Sequence, residues 1–123
     1  MSTNTTPART FTHVIVYSDG AAPLAVTTAE ARSTRRSMRV GDRPDVDTIL
    51  TYHHVLAAYI RADRSATRAD KTLRGLWCGG WREWSQARED LWLDRSEAAH
   101  EKLEHYGPLL NVLETAERNA DWW

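Results

Sequence analysis

The sequence predicts a mostly helical α+β protein, a small bundle of about four to five helices with an N-terminal β-strand or hairpin. Three observations predict it. Apolar residues recur at steps of three and four through most of the chain, the period of a helix with one buried face. A single stretch near the start, FTHVIVY, carries the β-branched and aromatic character of a strand. Four of the six tryptophans fall between Leu73 and Leu93, in LRGLWCGGWREWSQAREDLWL, where Trp77, Trp81, Trp84 and Leu91 share one helical face. That stripe is expected to be core, since a buried aromatic removes about 150–250 Å² from water.

Taken in order, residues 1–10 are polar and read as a flexible tail, with residues 11–123 a single mostly helical domain. Phe11 to Tyr17 is a strand with apolar groups on both faces, Ile15 and Tyr17 on one and Val14 and Val16 on the other, so cover is expected on both sides. Ser18-Asp19-Gly20 turns the chain, because glycine accepts positive φ and aspartate bonds its own backbone. Leu24 to Thr27 returns as a short edge strand behind Pro23. Thr27-Thr28-Ala29-Glu30 fits a capping box opening a helix from about Thr28 to Arg39, ended by Gly41-Asp42-Arg43-Pro44.

Asp45 then caps a second helix, Val46 to Asp63, whose stripe is Val46, Ile49, Leu50, His53, Leu56, Ala57 and Ile60. Ser65 opens a third, carrying Ala66, Ala69, Leu73, Leu76 and Trp77. Gly79-Gly80 marks a break, since each glycine costs about 1 kcal/mol against alanine in a helix interior. A fourth helix follows from Trp81 with Ala99, Leu103 and Tyr106 on its buried face. Gly107-Pro108 stops it and starts a last helix with Leu110, Leu113 and Ala116.

Charge is unevenly placed. The formal total is −1, yet Arg32 to Arg88 holds twelve Arg/Lys against six Asp/Glu, and Glu89 to Trp123 holds nine Asp/Glu against three Arg/Lys. Such a dipolar chain orients partners or copies of itself. Arginine outnumbers lysine fourteen to two, the bias of a GC-rich coding sequence. No apolar run reaches the ~20 residues that cross a bilayer, the N-terminus lacks the apolar core of a secretory signal, and Cys78 is the lone cysteine; a cytoplasmic protein without membrane association is expected.

Arg32, Arg35, Arg36 and Arg39 share one face of their helix, and Arg43 follows just beyond. Arginine forks match phosphate and carboxylate oxygens, so this face suits an acidic protein or nucleic acid; a solvated face is the plain alternative. Glu97-x-x-His100, with Glu101 and His105 nearby, is half of a di-iron motif that needs the pattern twice, and no second copy occurs. No metal or other cofactor is therefore expected. His53 reads as a hydrogen-bonded core histidine and Cys78 as a small buried filler. No nucleophile elbow, phosphate loop or dinucleotide fingerprint is present, which points away from an enzyme.

Trp92, between Leu91 and Leu93, cannot share one core with both, and Trp122-Trp123 end the sequence. Exposed tryptophan marks binding hot spots. The expected function is a non-enzymatic protein-interaction module, of the kind a phage or mobile element uses to bind and modulate a host protein, or one that associates with itself. Arg32, Arg35, Arg36, Arg39 and Arg43 are the electrostatic contacts, and Trp92, Trp122 and Trp123 the apolar anchors. The rival readings are a nucleic-acid-binding protein using the arginine-rich helix and a helical-bundle metal protein.

Overall fold

A computed structural model describes residues 9–79 and 84–120. Along the chain run β1 (His13–Tyr17), β2 (Leu24–Val26), α1 (Thr28–Arg39), β3 (Val46–Thr51), α2 (Tyr52–Cys78) and α3 (Gln86–Ala120). The chain is mostly helical, with a three-stranded antiparallel sheet near its start, but among the described residues three helices replace the expected four to five. None of them is long and apolar enough to cross a membrane. Two compact units result: the described parts of Met1–His54 and Leu109–Trp123 form the first, and Val55–Pro108 the second.

In the first unit β1 is the central strand, flanked by β2 and β3. The turn after β1 forms as expected, with Gly20 at φ +83° and the Ala21 N–H donating to Asp19 Oδ1 at 3.0 Å. Val14 and Ile15 are both buried, so the sheet is covered on both faces. On one face Ile15, Val26, Val46 and Ile49 form a cluster with Ala31 of α1, and Tyr17 and Met38 pack against it. The end of α3 is tied to the segment leading into β1. Glu117 accepts from the backbone N–H groups of Phe11 (3.0 Å) and Thr10 (3.2 Å), while Arg9 donates to the Leu113 carbonyl (3.3 Å) and lies 3.5 Å from Glu114. Arg9 also covers the Tyr52 ring at 3.6 Å. The described end of the expected tail, Arg9 and Thr10, is thus anchored; residues 1–8 lie outside the described residues.

The helix expected from Val46 is instead a strand up to Thr51. Its pairing with β1 slips by one residue between Val16 and Tyr17, leaving Asp47 as an extra residue in β3. That bulge returns Val46 and Ile49 to the same buried face. A spacing of three on one face is the helical signal, here produced by a strand. Asp45 accordingly caps nothing: Thr51 does, its Oγ1 accepting the His54 N–H at 3.1 Å. Because α2 starts there, its phase is shifted, and His53 is exposed rather than buried.

The helices expected on either side of Ser65 are one. The buried residues of α2, Val55, Ala62, Ala66, Ala69, Leu73 and Leu76, follow alternating steps of three and four or their sum, a heptad seam. The Ser96 hydroxyl donates to Asp70 Oδ1 at 2.9 Å, His100 lies 3.3 Å from Asp70 Oδ2, and a Cβ on Gly107 would lie 3.7 Å from the Tyr59 ring. Earlier positions of α2 therefore meet later positions of α3, and the second unit is an antiparallel helical hairpin. Its buried seam is made of alanine, leucine and one valine: Val55, Ala62, Ala66, Ala69, Leu73 and Leu76 on α2, and Ala99 on α3. α2 stops at Cys78, and a Cβ on Gly79 would sit 2.6 Å from the Gly75 carbonyl oxygen.

Gly107-Pro108 does not divide α3. Proline removes one N–H and crowds the carbonyl four residues back, but Pro108 and Glu104 are both exposed, and the helix continues through them. The largest correction concerns the tryptophan stripe. Trp77 and Trp84 are exposed, and so is Leu91, while the alanine and leucine seam fills the interior. Trp81 and Gly80 lie outside the described residues.

Candidate functional site

The arginine face is built by the ends of α1. Thr27 Oγ1 accepts the Glu30 N–H at 3.2 Å while the Thr27 N–H donates to Glu30 Oε1 at 3.3 Å, closing the expected capping box. At the other end Gly41, at φ +83°, donates to the Met38 carbonyl and Asp42 to that of Ser37, a Schellman closure. Ala31 and Thr34 are turned into the unit and buried. This leaves Arg32, Arg35, Arg36 and Arg39 exposed together, lining a recess of about 410 Å³. None of the four forms an ion pair among the described residues. Their field reaches the sheet: burial, then Arg35 and Arg32, hold the His13 imidazole below its ordinary pKa.

Two of the other expected contacts are occupied within the protein. Arg43 makes a bidentate pair with Asp45, Nε to Oδ1 at 3.0 Å and Nη2 to Oδ2 at 3.1 Å, and the Arg43 hydrogen bond holds the Asp45 carboxyl below the usual range. Trp92 is half-buried, with the Arg95 guanidinium 4.6 Å and that of Arg68 6.0 Å from its ring centre. Its ring face is engaged by cation–π contacts. Trp122 and Trp123 lie outside the described residues.

A surface that sequence patterning assigned to the core lies at the closed end of the hairpin. Trp77 is 55% exposed, Trp84 44%, Leu91 46% and Leu93 40%. From the Asp70–Ser96 contact onward, the antiparallel register brings Trp77 level with Glu89, two residues before Leu91. The Trp84 indole N–H donates to Glu89, which fixes that ring. Cys78 belongs to this end and is exposed, not buried as expected. The signal available in the sequence was phase: Trp77 follows Leu76, which holds the seam, and is turned out of it by the 100° between helical neighbours.

The first unit carries a further apolar groove of about 760 Å³, lined by Phe11, Leu24, Ala25, Val112 and Ala116 among others, with Leu24 half exposed beside it. Arg9, Tyr52, Glu114 and Glu117 form a polar cluster in this unit, and its bonds tie the segment before β1 to the end of α3. The Tyr52 hydroxyl is pushed up by burial and by Glu114; backbone donors, Phe11 first, pull Glu117 down. No three His, Cys, Asp or Glu side chains converge as metal ligands among the described residues. Glu97, His100, Glu101 and His105 are all exposed, and His100 turns to Asp70. Comparison with protein-family models, with curated proteins and with solved structures gives no match.

Proposed function

We propose that this protein is a non-enzymatic interaction module that binds another protein through the closed end of its helical hairpin. The supporting observation is the exposure of Trp77, Trp84, Leu91 and Leu93, four large apolar side chains within the stretch from residue 77 to residue 93. Large apolar side chains grouped on a surface lower the free energy when a partner covers them, and tryptophan is the residue type most enriched at such anchors. Glu89, Asp90 and Arg88 border the patch in sequence and supply the polar rim that an interface of this kind carries.

The test is affinity isolation from the source cells, using the full chain and its Trp77→Ala/Trp84→Ala variant as baits. A protein recovered in near-stoichiometric amount by the parent and lost by the variant supports the reading. Equal recovery by both baits refutes this surface.

A further inference from the structure

We propose that the arginine stripe of α1 is a self-association surface that docks on an acidic stripe of α3 in a second copy of the chain. On α1, Arg32, Arg35, Arg36 and Arg39 lie within one face spanning ~10 Å along the axis. On α3, Asp90, Asp94, Glu97, Glu101 and Glu104 follow steps of four, three, four and three, a straight stripe ~21 Å long. All five carboxylates are exposed. Among the described residues Asp90 accepts only from Gln86, and the other four form no ion pair.

Each stripe is unfavourable alone, because like charges three and four residues apart on a helix repel. Both costs are relieved at once if the stripes meet. A second copy brings the complementary stripe in the same stoichiometry, and the near-zero formal charge of −1 is what such self-complementarity leaves. A nucleic acid fits the chain less well: it would meet the same four guanidiniums, but the overall balance is slightly acidic, with a pI near 6.5, where nucleic-acid-binding domains are strongly basic. The contact is heterologous, since a basic face meets an acidic one, so association extends beyond a pair unless the geometry closes. It uses residues other than the tryptophan end, and its failure leaves that surface untouched.

The experiment is sedimentation velocity of the full chain over a range of concentrations at low and high salt, with absorbance at 260 and 280 nm recorded on every boundary. The parent assembles at low salt and disperses at high salt, as screened charge contacts do. Arg35→Glu/Arg36→Glu weakens assembly by a factor of about ten or more, and so does Glu97→Arg/Glu101→Arg. Mixing the two variants restores a complex, because the reversed α1 of one now faces the reversed α3 of the other. Far-UV circular dichroism matching the parent keeps both variants interpretable. A parent that stays monomeric at every concentration and salt overturns the proposal, as does assembly indifferent to the α3 reversal. Nucleic acid retained by the parent and released by the α1 reversal alone also overturns it, and assigns the stripe to phosphate instead.

Discussion

Replacing the same side chain at two places in the hairpin separates core from surface. Leu73 is 3% exposed on the seam of α2, whereas Leu91 is 46% exposed on α3. Leucine to alanine removes three carbons, worth ~0.8 kcal/mol each when fully transferred from water, or about 2.4 kcal/mol. At Leu73 the seam cannot collapse fully, and the cavity term brings the total to about 3–5 kcal/mol. At Leu91 about half of the transfer term applies and no cavity forms, since water fills the space; the expected loss is about 1 kcal/mol. Urea unfolding followed by far-UV circular dichroism reads both, and equal slopes keep the comparison valid. A loss at Leu91 matching that at Leu73 would refute the reasoning, because Leu91 would then belong to the core and the proposed contact surface would be part of the fold.

Three further outcomes follow from local geometry. Thr27→Ala removes the capping box of α1 and costs about 1 kcal/mol, while Thr27→Ser keeps most of it, as read by thermal unfolding. His13 titrates below pH 6.5 because of burial, Arg35 and Arg32, so its contribution to stability is present above that value and is lost as pH falls through the lowered folded-state pKa; Arg35→Ala moves its NMR midpoint upward, and an unmoved midpoint would separate the two side chains. Glu117 is held below 4.5 by the Phe11 and Thr10 amides and by Arg9, so the stability it adds is present above pH 4.5 and fades as pH falls below it. Glu117→Gln should therefore be less stable than the parent near neutrality and converge with it in acid.

Local signals in the sequence translated well where they rest on chemistry between near neighbours. The capping box at Thr27, the turn at Asp19-Gly20 and the span of α1 depend on residues within a few positions of one another. β3 was hidden because a bulge at Asp47 gives a strand the spacing of a helix, and periodicity carries no record of pairing with β1. The long seam of α2 was legible only in part: Ala62, Ala66 and Ala69 give a faint hydrophobic signal, although their heptad steps are regular. Tryptophan size then dominated the reading of residues 77–91, placing in the core a stripe that the alanine seam leaves outside. At the candidate site the four arginines of α1 were readable as one face. That Arg43 is paired with Asp45, and Trp92 covered by Arg95 and Arg68, depends on side-chain directions that composition does not encode.

The contact surface itself can be located through Cys78, the single cysteine, exposed at the hairpin end beside Trp77. The full chain carrying a photoactivatable maleimide on Cys78 is bound to the isolated partner protein, irradiated, and the products are mapped by mass spectrometry. Cross-links from position 78 to the partner are the result predicted. Cross-links that form instead only from a Cys78→Ser/Arg36→Cys variant, with none from Cys78 in the parent, would move the contact to α1 and contradict the account.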